Sequence, residues 1–219
     1  MRSGPVRAKI CGLKTPETVE AAVTGGASHV GFVFFPRSPR AVEPQVAGRL
    51  AASLPETVTS VGVFVDPDDA LLESVLADVP LGMLQLHGAE TPERVAAVRA
   101  RTGRPVMKAV AVSEPADLDR ASEYLSVADW LLFDAKPPKD ENALPGGNGL
   151  AFEWRLLHGV EIQAPWMLSG GLTPENVAEA VRVSGATHVD VSSGVEEAPG
   201  RKSAALIRDF LGALAPIRR

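Results

Sequence analysis

Trp166-Met167-Leu168-Ser169-Gly170-Gly171-Leu172-Thr173-Pro174-Glu175-Asn176, followed by Val189-Asp190-Val191-Ser192-Ser193-Gly194, sets out a plan that the rest of the chain repeats. A short apolar run ends in small residues, and a helix signal follows. Gly170 and Gly171 have no Cβ, so the backbone there can come close to a ligand and take positive φ. Thr173 reads as a helix N-cap with Pro174 at the first helical position. Exposed N–H groups at such a turn attract anions. Ser192, Ser193 and Gly194 add a second set of donors, so the two turns together read either as a phosphate clamp or as two ordinary strand-to-helix turns.

Upstream, strand-like apolar runs occur at 6–11, 29–34, 60–65, 83–87, 106–110 and 130–134. With 166–168 and 188–191 they make eight. Helical patterns lie at 16–25, 44–53, 67–77, 92–101, 115–124, 152–158, 174–183 and 203–214, most of them opened by proline. Short apolar runs alternating with helices imply parallel strands joined by βαβ crossovers. Eight units in 219 residues predict a small (β/α)8 barrel, one domain over 1–219. A doubly wound open sheet is the structural rival, but it usually has fewer strands and a single switch point. The longest irregular stretch, 135–149, follows the sixth run and is long enough to be a functional loop.

The totals narrow the function. A net charge of −5 and the absence of a basic run argue against nucleic acid or an anionic membrane as partner. Cys11 is the single cysteine, so no internal disulfide can form and a reducing compartment is expected. No apolar run approaches the roughly 20 residues that span a bilayer. The N-terminus has no signal-peptide pattern. A soluble cytoplasmic protein is the expectation. The histidines show no metal-ligand spacing and no Cys/His cluster exists, so no metal is expected. The glycine-rich Gly146-Gly147-Asn148-Gly149 lacks the Lys-Ser/Thr ending of a P-loop.

Side chains on a strand alternate between faces. In the first run Val6, Ala8 and Ile10 form the apolar set that meets the helices, which turns Arg7, Lys9 and Cys11 into the barrel. The same logic turns inward Met83, Gln85 and His87 in the fourth run, and Trp130, Leu132 and Asp134 in the sixth. In the eighth it turns inward His188, Asp190 and Ser192. Polar residues therefore converge at the carboxyl ends of strands one, four, six and eight, the end where barrel active sites lie. Packing alone would place branched apolar residues there. Individually each residue is ambiguous: Cys11 can be a small buried apolar group, Asp134 a cap, His87 a satisfied core histidine. A thiol with an ordinary pKa near ~8.5 is a weak base unless a cation such as Lys9 favours the thiolate.

The chain resembles the phosphoribosylanthranilate isomerase family of tryptophan biosynthesis. The resemblance rests on Lys9-Ile10-Cys11-Gly12-Leu13-Lys14, Val30-Gly31-Phe32-Val33-Phe34-Phe35-Pro36-Arg37-Ser38-Pro39-Arg40, Val61-Gly62-Val63-Phe64-Val65 and Leu84-Gln85-Leu86-His87-Gly88. It continues through Leu132-Phe133-Asp134, Gly146-Gly147-Asn148-Gly149, Leu168-Ser169-Gly170-Gly171-Leu172 and Asp190-Val191-Ser192-Ser193-Gly194-Val195-Glu196. It implies a (β/α)8 barrel that carries out an Amadori rearrangement of N-(5-phospho-β-D-ribosyl)anthranilate by general acid–base catalysis, with no cofactor. Carried over residue by residue, it implies Cys11 as base and Asp134 as acid. It implies Arg40 for the anthranilate carboxylate, and Gly170, Gly171, Ser192 and Ser193 for the 5′-phosphate. Asp190 is implied in a hydrogen-bonding or orienting role, with Gln85 and His87 in support. These roles require Asp134 to be partly desolvated and Cys11 partly ionised. The expected partner is a small phosphoribosyl substrate, and a monomer is expected rather than a homodimer. Asn148 departs from the threonine or serine usual in the family. A histidine-pathway ribonucleotide isomerase is a rival on the same barrel, but such enzymes carry aspartate where Cys11 stands. A non-catalytic phosphate-binding barrel would be expected to lose Cys11 or Asp134.

Overall fold

The computed structural model describes residues 4–136, 146, 147, 149 and 151–217. Eight strands close into a barrel in sequence order: β1 (Arg7–Cys11), β2 (His29–Val33), β3 (Thr59–Phe64), β4 (Met83–Leu86), β5 (Val106–Val112), β6 (Trp130–Ala135), β7 (Trp166–Leu168) and β8 (His188–Val191). β8 pairs parallel with β1, placing Lys9 opposite Asp190, and that pairing closes the ring. Helices α1 (Pro16–Thr24), α2 (Pro44–Ala52), α3 (Asp69–Asp78), α4 (Pro92–Thr102), α5 (Pro115–Ala121), α6 (Val177–Ser184) and α7 (Ala204–Leu214) surround the barrel. The expected (β/α)8 architecture is therefore present, with strand bounds that shift by a residue or two.

Three helix expectations need correction. The segment 152–158 holds only a 3₁₀ turn, Trp154–Leu157, with Glu153 accepting from the Arg155 N–H as its cap. α3 starts at Asp69 rather than at Pro67, because Asp68 caps it by accepting from Leu71 N at 2.8 Å. α6 starts at Val177, not Pro174: Asn176 Oδ1 accepts from Thr173 N at 2.8 Å while its Nδ2 donates to Gly171 O at 2.9 Å. That closed turn satisfies the Thr173 N–H before the helix begins, so Thr173 is not the cap and its N–H is not free for an anion.

Alternation partitions the side chains as expected. Val6, Ala8 and Ile10 join Leu84, Leu86, Val189 and Val191 in the large cluster between barrel and helices. Inside the barrel, Val61, Met83, Met107, Ala109, Leu132 and Met167 form a separate apolar plug. Below the plug, Trp130 packs edge-on between His29 and His188, with ring centroids 5.9 and 4.9 Å away. Above it the interior turns polar. The plug makes the barrel a solid pedestal, so anything bound at the mouth rests on side chains that are themselves held by packing.

Candidate active site

A cavity of about 790 Å³, its open mouth included, sits at the carboxyl ends of the strands. Cys11, Arg40, Gln85, His87, Asp134 and Asp190 line it, as do Gly170, Gly171, Ser192 and Ser193. The fold thus gathers into one cavity every site residue expected from the sequence.

On the β1 side, Lys9 is fully buried and its Nζ donates to Asp190 Oδ1 at 2.8 Å. Burial opposes the Lys9 charge, but Asp190 together with Cys11 outweighs it and raises the Lys9 pKa. Asp190 Oδ2 also accepts from Ser169 Oγ at 3.3 Å. Cys11 lies above this pair. Glycine at position 31 makes room for it, since a Cβ there would stand 3.0 Å from the Cys11 Sγ. The expected ionisation of Cys11 is not what this environment favours. Burial is the largest influence and pushes the thiol up, and the positive charges of Lys9 and Lys202 only partly offset it. In the free protein Cys11 is a thiol at neutral pH.

Across the mouth, Asp134 at the end of β6 is buried. Its Oδ1 accepts from the Ala135 N–H at 2.9 Å, and its Oδ2 lies 3.2 Å from His87 Nε2. His87 Nδ1 lies 2.8 Å from Gln85 Nε2. His87 is therefore neither a solvated loop residue nor an isolated core histidine; it joins Gln85 to Asp134. Gly146 explains itself here, since a Cβ would approach His87 Nε2 to 2.6 Å and Asp134 Oδ2 to 2.8 Å. Glycine lets the loop after β6 lie directly against the carboxylate. Asn148, the departure from the family pattern, lies outside the described residues.

Arg40 is buried, and its Nε and Nη2 each donate to the Glu196 carboxylate at 2.8 Å. Nη2 also donates to Gly147 O at 3.1 Å. Glu196 thus holds the Nε–Nη2 edge of the guanidinium, which leaves Arg40 only part of its fork for a ligand carboxylate. Glu196 opens a short hairpin, β9 (Glu196–Ala198) paired with β10 (Arg201–Lys202). Lys202 Nζ donates to Glu196 Oε1 and Ser192 O, both at 2.8 Å, and lies 3.2 Å from Ser192 Oγ. Burial favours the neutral forms of Glu196 and Lys202 alike. For Glu196, Arg40 and Lys202 win and lower its pKa; for Lys202, burial wins and lowers its pKa.

Gly170 and Gly171 have φ of 85° and 63°, the left-handed region that favours glycine. A Cβ on Gly170 would stand 2.8 Å from the Ala135 N. The two glycines and the Ser192-Ser193 pair sit side by side at the ends of β7 and β8, at one end of the cavity. Val33, Phe35, Val63 and Val65 form an apolar wall beyond Cys11. Sequence reasoning missed this wall, as well as Glu196 and Lys202 as parts of the site. The wall carries a weak signal, apolar residues continuing past the ends of strands two and three. Glu196 lies in the motif that carries the resemblance, but no local pattern ties it to Arg40, 156 residues away.

Among the described residues no group of three or more His, Cys, Asp or Glu side chains is placed to hold a metal ion. The closed barrel with a thiol and a carboxyl facing one cavity at its carboxyl-terminal mouth defines a (β/α)8-barrel enzyme. Residues 8–213 match the family of N-(5'phosphoribosyl)anthranilate (PRA) isomerase. An N-(5'-phosphoribosyl)anthranilate isomerase of Paracoccus denitrificans is 62% identical over 213 residues, covering 97% of this chain and 99% of its own. One from Rhodospirillum centenum is 59% identical over 213 residues, covering 97% and 100%. The crystal structure of phosphoribosyl anthranilate isomerase from Thermotoga maritima superposes with a TM-score of 0.86 at 38% identity, covering 97% of this chain and 100% of that one. A structure of the enzyme in complex with reduced 1-(o-carboxyphenylamino)-1-deoxyribulose 5-phosphate has a TM-score of 0.80 at 35% identity, covering 97% and 100%. The chain belongs to the N-(5'-phosphoribosyl)anthranilate isomerase family.

Proposed function

We propose that Cys11 and Asp134 are the base and acid of this chain's reaction, the isomerisation of N-(5-phospho-β-D-ribosyl)anthranilate to 1-(2-carboxyphenylamino)-1-deoxyribulose 5-phosphate in tryptophan biosynthesis. The observation that carries the assignment is their placement at the ends of β1 and β6, on one cavity. Two more strands, β7 and β8, separate β6 from β1 around the closed ring, so the two groups face a bound sugar from different sides. Asp134 gives a proton to the ribose ring oxygen as the C1′–O bond breaks, and the anthranilate nitrogen forms a Schiff base with C1′. The Cys11 thiolate takes the proton from C2′, leaving an enol-amine. Collapse to the ketone releases the hydroxyl proton at C2′ and places a proton on C1′. Two protons leave the sugar and two arrive, so no co-reactant is required.

The raised Cys11 pKa works against this role in the free protein, since the base is the thiolate. Its ionised fraction is small, but the thiolate once formed is a stronger base. Lys9 and Lys202 are the cations that favour it. The rest of the cavity suits the two ends of the substrate. Gly170, Gly171, Ser192 and Ser193 hold the 5′-phosphate through backbone N–H groups. The apolar wall of Val33, Phe35, Val63 and Val65 takes the anthranilate ring, and Arg40 Nη1, which neither Glu196 nor Gly147 engages, takes its carboxylate. Asp190 orients Lys9 beneath Cys11.

We treat 1–219 as a single domain, consistent with one closed barrel. The chain has no helix long and apolar enough to cross a membrane among its described residues, and we place it in the cytoplasm. A monomer is our reading of its assembly: among the described residues only Leu71 and Val160 are large exposed hydrophobics, and they form no extended patch in sequence. The decisive test is turnover of phosphoribosylanthranilate by the purified protein and its variants. Cys11→Ala and Asp134→Ala should each lower kcat by about 10²–10⁴-fold with small effects on unfolding. Parental turnover in either variant removes that residue from its role.

A further inference from the structure

Gln85 is fully buried on β4, two residues before His87. Its Nε2 lies 2.8 Å from His87 Nδ1, and His87 Nε2 lies 3.2 Å from Asp134 Oδ2. Among the described residues nothing donates to the buried Gln85 Oε1. A primary amide donates only through nitrogen and accepts only through oxygen. With nitrogen toward the ring, Nδ1 must be the acceptor. The neutral imidazole then carries its proton on Nε2 and donates it to an Asp134 carboxylate. The Asp134–His87 pair holds one proton in this arrangement.

Turning the amide over inverts the relay. Gln85 Oε1 then accepts from a protonated Nδ1, and the pair gains a second proton, shared between Asp134 Oδ2 and His87 Nε2. In the orientation described, Oε1 is a buried polar group left unpaired, at a cost of about 1–3 kcal/mol. Among the described residues no second group bonds to the amide, so it can present either end to His87.

We infer that Gln85 is a positioning residue for the proton that Asp134 donates. Its amide oxygen facing His87 holds the doubly protonated pair from which the substrate's ring oxygen is protonated. Its nitrogen facing His87 holds the singly protonated pair left after that transfer. Among the described residues the other titratable groups on this cavity are Cys11 from β1, Arg40 from the loop after β2 and Asp190 from β8. Lys9 of β1 is turned to Asp190. Behind the loop after β4, Glu90 is tied to Asp66 N, Gly88 N and Lys108 Nζ, and Asp66 Oδ1 to Ala89 N. Among the described contacts none of these residues bonds to the His87 ring, which leaves Gln85 at Nδ1 and Asp134 at Nε2 as the two groups that set its tautomer.

This inference rests on Asp134 as the acid, and one arm of its test is independent of that role. Nitrogen NMR of the parent with labelled histidine, His87 being assigned by its loss in His87→Asn, reports the tautomer directly. At high pH the parent should show His87 with its proton on Nε2, and Gln85→Glu should move that proton toward Nδ1. Gln85→Glu offers only acceptors to Nδ1 when ionised. It should hold the second proton to higher pH, moving the high-pH fall of kcat/KM upward by about one unit or more. Gln85→Met should lower kcat more than it changes KM. An Nδ1-protonated tautomer in the parent at high pH overturns the proposal, as does a high-pH limb that stays fixed in both variants. Parental turnover in Asp134→Ala would instead sink the acid assignment and leave the tautomer result standing.

Discussion

Removing the carboxylate of Glu196 tests the buried charge network most directly. Glu196 holds two cations, Arg40 through Nε and Nη2 and Lys202 through Nζ, each at 2.8 Å. The side chains of Arg40, Glu196 and Lys202 are 6%, 4% and 2% exposed, so water cannot take over from the lost partner. Breaking a buried pair by removing one member costs about 3–5 kcal/mol, chiefly because a charge is left uncompensated. Glu196→Ala strands two, so the upper part of that range is expected. With an m-value of about 2 kcal/mol/M, the urea midpoint should fall by about 2 M. Glu196→Gln keeps one acceptor and should lose less. The same substitution frees Arg40 from the hairpin, and KM should rise by about tenfold or more as the guanidinium loses its fixed direction. Lys202→Met should cost about 1–3 kcal/mol less in the Glu196→Gln background than in the parent, since the two residues share one contact. A urea midpoint for Glu196→Ala within about 0.5 M of the parent, about 1 kcal/mol at that m-value, would refute the claim that this network carries stability. Additive effects in the double variant would refute the coupling.

Gly31→Ala should leave the fold intact, because Gly31 does not adopt positive φ, but should push Cys11 aside. The new Cβ would stand 3.0 Å from Cys11 Sγ, 3.1 Å from its Cα and 3.3 Å from Lys9 Cε. A fall in kcat of about tenfold or more is expected from such a displacement, and parental kcat would show that the thiol's placement is not critical. The histidines under the barrel should make stability fall in acid. Burial, with nearby positive charge, holds His29 and His188 down to about 4, against 6.5 for the free side chain. Below pH 6.5 the unfolded chain takes up protons that the native state refuses. The stabilisation is therefore complete above pH 6.5 and lost as pH falls toward 4. For the buried His29 the loss approaches about 3 kcal/mol. Urea midpoints between pH 7 and 4.5 should slope less steeply in His29→Gln, and an unchanged slope would refute the assignment.

Much of this molecule was legible from local chemistry. Strand and helix alternation, set by side-chain periodicity, is a property of neighbours a few residues apart. It placed all eight strands and decided which side chains face inward. The same period put Lys9, Cys11, Gln85, His87, Asp134 and Asp190 toward the barrel interior. Errors occurred where side chains reshape the backbone from outside the periodic pattern. Asn176 closes a turn that delays α6, and Asp68 shifts the start of α3.

Tertiary structure decided the rest, because electrostatics depends on burial and on partners remote in sequence. The periodicity of β1 put Lys9 and Cys11 on one face, but only the closed barrel set Asp190 beside Lys9 and buried the thiol enough to raise its pKa. Arg40 could be named from its motif, yet the edge it offers was fixed by Glu196, 156 residues away. Gly146 and Gly31 looked like loop and strand glycines, and only the folded structure showed that a Cβ would strike Asp134 in one case and Cys11 in the other. Sequence alone determined which groups reach the mouth of the barrel. Packing determined their protonation, their free edges and the space left between them, since these depend on distances that no local pattern sets.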